Sequence, residues 1–202
     1  MLAIIDYGVG NLYSLQSSLK SIGAEPVIVR EPQRLRDADH IILPGVGAFE
    51  DARRRLRETG MDAAVLEAAR DGRPLLGICL GMQLLFQRSF EYGNHEGLGL
   101  IPGQICPLAG DIRPGLKVPH IGWNGLNLFR EDPLLRDFQN GAHVYYVHSY
   151  YAKNCEDHLL AVSEYDVAVP GLVRNENVYG AQFHPEKSGA AGLRLLKNFT
   201  DL

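Results

Sequence analysis

Cysteine, long apolar runs and an excess of basic charge are all scarce in this sequence. Its three cysteines, Cys79, Cys106 and Cys155, are scattered over 202 residues and match neither a disulfide framework nor a zinc-ligand pattern. The net charge of −4 gives no reason to expect nucleic acid as a partner. No apolar stretch reaches the length of a membrane span, and the first residues lack a basic leader. We therefore expect no membrane partner and a reducing, cytoplasmic setting.

Nucleotide and metal motifs are also missing. Gly8-Val9-Gly10 lies between an apolar run and a helical pattern, as in a dinucleotide-binding loop, but Tyr13 stands where the third glycine belongs. The sequence has no Walker-type phosphate loop and no His-Glu-x-x-His metal motif. We therefore expect that the protein uses neither a cofactor nor a metal.

The order of apolar and helical patterns predicts an α/β fold. Strands and helices alternate in the first half, which is typical of a parallel sheet covered by helices. The strands predicted there are 2–5, 26–29, 40–43 and 74–78, and the helices are 12–22, 48–58 and 61–71. The second half predicts strands at 99–105, 143–151, 159–163 and 178–183, and a closing helix at 189–199. Since no linker divides the chain, we predict one domain over residues 1–202, with a parallel central sheet extended by antiparallel strands.

A cysteine between two glycines follows the predicted strand 74–78, in the order Gly77-Ile78-Cys79-Leu80-Gly81. A strand, a tight turn and a helix with a nucleophile at the turn form a nucleophile elbow. There the start of the helix favours the reactive thiolate, and the Leu80 N–H is available to an oxyanion beside the sulfur. The alternative is a buried structural cysteine in a tight turn.

A base for this cysteine is predicted at His184, which ends an apolar run. Pro185 holds the segment extended, so that His184 and Glu186 lie on the same side of the chain. The carboxylate can then accept the imidazole N–H and orient the ring, as the acid of a catalytic triad does. The alternative is a strand-end histidine beside a surface glutamate.

A second oxyanion donor is predicted in the loop Pro44-Gly45-Val46-Gly47, which follows a predicted parallel strand. Ligands bind at this edge of open α/β sheets. The glycines let a backbone N–H of Val46 or Gly47 approach a reacting carbonyl group. The alternative is an ordinary loop between a strand and a helix.

These motifs resemble those of the class I, or triad, glutamine amidotransferases, on the evidence of Gly77–Gln83 and His184-Pro185-Glu186. Four further segments are similar to the glutaminase subunits of imidazole glycerol phosphate synthase, in histidine biosynthesis: Asp6–Asn11, Pro44–Phe49, Pro119–Asn124 and His148–Tyr150. The resemblance covers essentially the whole chain and implies a three-layer, flavodoxin-like fold. We therefore expect no fused synthase domain after the closing helix.

The resemblance implies that Cys79 attacks the carboxamide carbon of glutamine, that His184 transfers protons and that Glu186 orients His184. It implies a heterodimer with a separate cyclase subunit, which uses the ammonia to make imidazole glycerol phosphate and AICAR. The implied substrate-binding residues are Gly47, Gln83, Glu91, His148, Ser149 and Tyr150, and the implied partner-interface residues are Trp123, Asn124 and Lys187. Taken alone, Trp123 would be a core residue and Lys187 a solvated charge.

One departure from the wider class concerns Val46, where a more glycine-rich pattern is common. Because a β-branched residue tolerates positive φ poorly, we predict that the oxyanion hole is incomplete in the isolated chain. We expect the bound, liganded cyclase to complete it.

Three alternative functions stay open from the sequence. The first is the glutaminase subunit of another ammonia-channelling synthase, such as the one serving pyridoxal phosphate synthesis, against which the segment Pro119–Asn124 argues. The second is a cysteine peptidase or chaperone-like thiol protein, which would need neither Gln83 nor Glu91. The third is a non-catalytic interaction subunit, which would not need Cys79 together with its predicted base.

Overall fold

Fourteen strands and five helices form the regular structure of the computed structural model, which describes residues 1–202. The strands β1 to β14 are, in chain order, Leu2–Ile5, Pro26–Val29, His40–Gly45, Leu75–Cys79, Phe86–Ser89, His95–Glu96, Ile101–Pro107, His120–Gly125, Asn127–Leu128, His143–His148, Tyr150–Lys153, Leu159–Glu164, Ala168–Asn175 and Val178–Ala181. The helices α1 to α5 are Leu12–Ser21, Phe49–Glu58, Met61–Arg70, Leu80–Leu85 and Gly189–Thr200. No helix has the length and apolar character needed to cross a membrane.

Eight strands form the central sheet, in the order β2-β1-β3-β4-β14-β13-β12-β9. The first five run parallel to one another, and the remaining three continue the sheet by antiparallel pairing. All five residues of β4 are buried, as expected for a parallel strand covered on both faces. The predicted parallel sheet with an antiparallel extension is therefore confirmed.

The alternation of side chains along the strands divides the core into two layers. Ala3 and Ile5 face one apolar cluster, which includes the buried faces of α2 and α3. Ile4 faces the other cluster, which includes the buried faces of α1 and α5. Helices thus cover both faces of the sheet, which gives the predicted three-layer arrangement.

Two small sheets flank this framework. One is a two-stranded antiparallel ribbon of β8 and β10, and the other has the order β11-β7-β5-β6. The predicted single strand 143–151 is therefore wrong: it breaks at Ser149, because β10 pairs with β8 whereas β11 pairs with β7. The helix predicted after the elbow is short, since α4 stops at Leu85 and Phe86 begins β5.

The sheet brings the predicted site segments to one edge. Gly45 at the end of β3 is the register partner of Cys79 at the end of β4, so the loop after β3 lies beside the elbow. The segment Asp6–Asn11 follows the end of β1, which pairs with β3 in parallel. The carboxyl ends of these strands therefore position the candidate site.

Candidate active site

Close backbone packing shapes the turn at Cys79, which joins β4 directly to α4. A Cβ atom on Gly81 would lie 1.8 Å from the Leu43 carbonyl oxygen, and one on Gly77 would lie 2.7 Å from the Gly81 carbonyl carbon. The positive φ of the turn belongs to Cys79 itself, at φ 53° and ψ −112°. Such a conformation strains a residue with a side chain and marks functional turns. The sequence therefore forms the predicted elbow, with its glycines required by close approach.

Cys79 is 8% exposed, and a carbonyl group and a carboxamide lie close to its sulfur. Its Sγ lies 3.9 Å from the Val147 carbonyl oxygen, which accepts the thiol hydrogen. The Gln182 carboxamide Nε2 lies 4.0 Å from the same sulfur. The sulfur thus lies between a carbonyl acceptor on β10 and an amide donor that follows β14.

His184 and Glu186 are in contact, with 2.7 Å between Nδ1 and Oε1 and only 4% exposure of each side chain. The extended geometry expected from the sequence is wrong beyond His184, because Pro185–Lys187 forms a 3₁₀ turn that brings the two side chains together. The His184 N–H donates to the Tyr145 carbonyl oxygen at 2.9 Å, and the Ser188 hydroxyl donates to the His184 carbonyl oxygen at 2.7 Å. The backbone that carries the imidazole is therefore held by hydrogen bonds at both its N–H and its carbonyl group.

The charge of His184 depends on its two polar partners. Burial opposes the positive charge, but hydrogen bonds to Cys79 and to Glu186 outweigh it and raise the pKa of His184 to about 9. With Nδ1 donating to Glu186, Nε2 is the ring nitrogen left to face the sulfur. The site thus favours an imidazolium held between the sulfur and a carboxylate.

The loop after β3 faces the elbow. Tyr7 donates its hydroxyl hydrogen to the Pro44 carbonyl oxygen at 3.0 Å, which fixes the start of the loop. Burial, with a smaller effect of Cys79, raises the pKa of Tyr7, so that its hydroxyl stays a donor. Val46 is 42% exposed, and Gly47 rather than Val46 has the positive φ, at 95°. The backbone of this loop therefore borders the space above the nucleophile.

A cavity of about 590 Å³ opens beside Cys79. Among the residues predicted for the site, those that line it are Val46, Gly47, Cys79, Leu80, Gln83, Glu91, His148, Ser149, Tyr150, His184 and Lys187. Glu186, Trp123 and Asn124 do not line it. The structure thus brings together the predicted nucleophile, base, oxyanion donors and substrate-binding residues, with Glu186 behind His184.

Glu91 supplies the carboxylate of this cavity. Its Oε2 accepts the Phe49 N–H at 2.9 Å, at the start of α2, and the residue is 9% exposed. Burial raises the pKa of Glu91, although the bond from Phe49 opposes this rise. Tyr92 and Tyr150 stand beside it with their ring centroids 6.1 Å apart. A carboxylate beside two aromatic rings suits an ammonium group.

His148 lines the cavity, and its ring belongs to a buried chain of hydrogen bonds. Its two ring nitrogens lie 2.9 Å from the Tyr150 carbonyl oxygen and 2.9 Å from His120 Nδ1. Burial lowers the pKa of His148 to about 4. The chain continues from His120 Nε2 to Asn124 Oδ1 at 2.7 Å, and Asn124 donates to the Glu164 carbonyl oxygen. The Asn124 carboxamide is thus engaged inside the protein.

Trp123 and Lys187 both lie near the ring of Tyr145 on β10. Trp123 is 52% exposed, with its ring centroid 5.9 Å from that of Tyr145 on the opposite strand. The Lys187 ammonium lies 5.7 Å from the centroid of the Tyr145 ring. Trp123 is therefore a surface aromatic residue, as the family resemblance implied, and not a core tryptophan.

Comparison with known proteins places this geometry in a family. The family model of class-I glutamine amidotransferases matches residues 3–202. The chain belongs to this family. Imidazole glycerol phosphate synthase subunit HisH of Geobacillus sp. (strain WCH70) is 50% identical to this amidotransferase over 205 residues, which cover 100% of this chain and 97% of the relative. The protein of the same name from Caldanaerobacter subterraneus subsp. tengcongensis (strain DSM 15242 / JCM 11007 / NBRC 100824 / MB4) is 46% identical over 203 residues, covering 100% and 98%.

Solved structures agree with the fold of the amidotransferase. A crystal structure of a glutamine amidotransferase matches with a TM-score of 0.78 at 22% identity, covering 98% of this chain and 97% of that chain. The structure of PurLQS from Thermotoga maritima matches with a TM-score of 0.77 at 22% identity, covering 99% and 97%. At such identities the likeness concerns the fold alone, and it confirms the predicted amidotransferase fold.

Sequence reasoning missed three residues of the amidotransferase site. Gln182 contacts the sulfur, and Tyr92 and Tyr7 border the cavity and its loop. The alternation along a strand, which was applied to His184 and Glu186, also places Gln182 on the side of His184 and could have found it. Tyr92 has a positive φ of 52° and Tyr7 acts through a loop carbonyl group, and no local pattern announces either.

Proposed function

We propose that this amidotransferase hydrolyses glutamine to glutamate and ammonia through a thioester on Cys79, as the glutaminase subunit of imidazole glycerol phosphate synthase. The 2.7 Å contact between His184 and Glu186, next to a cysteine on a strained elbow, carries the proposal. Family membership supports the reaction, and relatives named HisH at about 50% identity support the synthase. The three free cysteines suit a reducing, cytoplasmic setting.

The first half-reaction joins the cysteine to the substrate. The Cys79 thiolate attacks the carboxamide carbon of glutamine, and the carbonyl oxygen becomes an oxyanion. The Leu80 N–H and a backbone N–H from Val46 or Gly47 donate to this oxyanion. Each such donor typically contributes a factor of about 10²–10³ in rate. When the tetrahedral intermediate collapses, the His184 imidazolium gives its proton to the departing amine, which leaves as ammonia.

The second half-reaction releases glutamate. His184, now neutral, takes a proton from water as this water attacks the thioester carbonyl carbon. The same backbone donors stabilise the second oxyanion. Collapse of this intermediate breaks the C–S bond, so that glutamate leaves and the pair of thiolate and imidazolium is restored. Glu186 keeps the His184 ring in one orientation through both steps.

The cavity suits the amino-acid end of glutamine. We assign the α-ammonium group to Glu91, whose carboxylate is already oriented by the N-terminus of α2. Gly47, His148, Ser149 and Tyr150 line the remaining wall. Gln83 also lines the cavity, but its carboxamide Nε2 donates inward rather than to the cavity. Its contribution to glutamine binding is therefore its position in the wall.

We propose a heterodimer in which a cyclase subunit covers the mouth of this cavity and receives the ammonia. Support comes from exposed apolar side chains in and next to the lining segments: Val46, Val118, Ile121 and Trp123, of which Trp123 is the largest. Lys187 adds an exposed charge at the same mouth. Asn124 stabilises β8 through its hydrogen bonds to His120 and to the Glu164 carbonyl oxygen. An enclosed route keeps ammonia unprotonated at neutral pH. The lyase step belongs to the cyclase. We propose that residues 1–202 form one functional domain.

A glutaminase assay with and without the candidate cyclase tests this function. We expect the isolated chain to form glutamate and ammonia in equal amounts, and glutamate to form faster when the cyclase and its ligand are present. Cys79→Ala should lower the rate by on the order of 10⁵ while the variant folds and still binds the cyclase. Glutamine hydrolysis that survives in Cys79→Ala would overturn the proposed mechanism, and an absence of any binding to the cyclase would overturn the proposed partner.

A further inference from the structure

The sulfur of Cys79 has a buried amide neighbour that the mechanism above does not use. The Gln182 side chain is 0% exposed, and its Nε2 lies 4.0 Å from Cys79 Sγ. Its Oε1 accepts a hydrogen bond from Gln83 Nε2 at 3.0 Å. A fully buried carboxamide that reaches the nucleophile with its nitrogen has a direct chemical consequence for the sulfur.

The orientation of this carboxamide is set by a backbone group. The Tyr150 carbonyl oxygen can only accept, so Gln83 must turn its Nε2 toward it, and the two atoms are 3.0 Å apart. The same nitrogen then donates its second hydrogen to Gln182, which must present its oxygen to Gln83. Reversal of Gln83 would set its oxygen against two other oxygens, and reversal of Gln182 would set its nitrogen against the Gln83 nitrogen. Gln182 therefore presents N–H groups to the sulfur.

The carbonyl group of Val147 next to the sulfur explains what this N–H contributes. The Val147 carbonyl oxygen, 3.9 Å from Sγ, is a good partner for a thiol because the S–H can donate to it. Once the proton leaves, the same oxygen faces a negative sulfur and repels it. A donor on another side of the sulfur offsets this repulsion, and hydrogen bonds to charged groups are about twice as strong as neutral ones.

We propose that Gln182 is a catalytic residue of this glutaminase whose carboxamide N–H stabilises the Cys79 thiolate, with Gln83 as the residue that positions it. The N–H acts before the attack on glutamine and again when the sulfur leaves at the end of hydrolysis. Rather than binding substrate through its amide, Gln83 aims Gln182. This inference rests on the proposed function, because a thiolate nucleophile is what the donor stabilises.

Alkylation of Cys79 by iodoacetamide measures the thiolate directly, without glutamine. The rate is followed from pH 5 to pH 9 by mass spectrometry of the Cys79 peptide, with the half-exposed Cys106 of the same molecule as reference. Gln182→Met keeps the shape of the side chain and removes the donor. We expect its Cys79 to react about tenfold more slowly near pH 7, with the pH profile displaced to higher pH, and Cys106 to react as before.

Two companion variants separate orientation from structure. In Gln83→Met the Gln182 amide loses the partner that aims it, and we expect a smaller fall in Cys79 alkylation, about threefold. Gln87→Met is the matched control, because Gln87 is an exposed glutamine on β5 that only accepts the Gly103 N–H. Unchanged Cys79 profiles in folded Gln182→Met and Gln83→Met would overturn the proposal.

The pH dependence of Cys79 alkylation must be assigned to the sulfur and not to the titratable groups around it. His184, with Glu186 behind it, faces Cys79 from the loop after β14, Tyr7 follows β1, and His148 ends β10 next to Val147. Should Gln182→Met not fold, wild-type protein labelled with ¹⁵N in its glutamine side chains carries the test. We expect the Gln182 carboxamide signal to move as Cys79 ionises and to stay still in Cys79→Ala.

Immobile Gln182 signals across the pH range in the wild type would likewise overturn the proposal. The failure of this inference is distinguishable from failure of the proposed function. Loss of glutaminase activity in Cys79→Ala together with an unchanged alkylation profile in Gln182→Met would leave the mechanism standing and remove Gln182 from it. Glutaminase activity in Cys79→Ala would remove both.

Discussion

The two walls of the catalytic cavity are built in different ways. The elbow wall, formed by β3, β4 and α4, lies in the middle of the eight-stranded sheet, and its glycines leave no room for a Cβ atom. The ribbon wall consists of β8 and β10, which pair only with each other. Two-stranded ribbons have little stability of their own, whereas a central parallel strand is held on both sides. The position of the nucleophile is therefore fixed more firmly than that of its surroundings.

The ribbon nevertheless controls the chemistry of the sulfur. Tyr145 on β10 accepts the His184 N–H, and Val147 on the same strand accepts from the thiol. Trp123, the proposed contact with the partner, lies opposite Tyr145 on β8. The elbow wall thus holds the nucleophile, while the ribbon wall connects the base to the surface that a partner would cover.

Gly81→Ala is expected to have the largest effect on stability, because it disrupts the close packing of the elbow wall. A Cβ atom 1.8 Å from the Leu43 carbonyl oxygen forces α4 away from β3. We expect a loss of about 3 kcal/mol or more in the free energy of unfolding, measured in urea. Gly110→Ala is the control, since a Cβ atom there meets nothing within 4 Å. A loss below about 1 kcal/mol in Gly81→Ala would show that the elbow wall is not the more firmly held of the two walls.

Glu186→Gln tests the role of Glu186 in orienting His184 and in stabilising its positive charge. The wrong orientation of His184 should lower the glutaminase rate by on the order of 10³. The folded protein holds the His184 proton more tightly than the unfolded chain, since its pKa is raised to about 9 from 6.5. The stabilisation is therefore complete below about pH 6.5 and is lost as pH rises to about 9. Urea unfolding between pH 6 and pH 10 should show this decline in the wild type and a weaker one in Glu186→Gln. Identical pH slopes would contradict the assignment.

The parallel half of the large sheet, to which the elbow wall belongs, was also the part that the sequence predicted best. Strands 2–5 and 26–29 were placed as they occur, because short apolar runs between helical patterns are the signature of buried parallel strands. The strand β13 was missed, since Pro170 and Gly171 within it disfavour a strand by local propensity. The ribbon strand β8 was missed as well, because its glycines interrupt the apolar pattern. Pairing with distant strands decides both, and a local pattern carries no information on it.

For the site, the sequence supplied the residue types but not their directions. Cys79, His184 and Glu186 were found from motifs, and the structure brings them together. The 3₁₀ turn that joins His184 to Glu186 and the inward direction of the Gln83 amide depend on contacts across the fold. Such contacts form only when β4, β10 and β14 are assembled. The residue types that meet in the candidate site were therefore predictable, whereas their hydrogen-bond directions were not.

Trp123→Ala addresses the surface of the ribbon wall. If the cyclase covers this surface, removal of the half-exposed ring should weaken binding of the cyclase by about tenfold, measured by isothermal titration calorimetry. The glutaminase activity of the isolated chain should change little. Phe129→Ala is the matched control, because Phe129 is 63% exposed and lies next to β9 at the far edge of the large sheet. Equal losses of affinity in both variants would place the partner elsewhere.

Val46→Gly is expected to give the smallest effect and to act where the two walls face each other. Val46 follows the end of β3, and its φ is not positive, so a rotated peptide unit next to it is disfavoured by its β-branched side chain. If the oxyanion hole is incomplete in the isolated chain, glycine should ease this rotation and raise the basal glutaminase rate by roughly threefold, since it removes only about 0.5–1 kcal/mol of backbone preference. The rate with the liganded cyclase should stay the same, because the partner then completes the hole. A variant that lowers both rates equally would show that Val46 packs the cavity without controlling the loop, and equal wild-type rates with and without the cyclase would show that the hole is already formed.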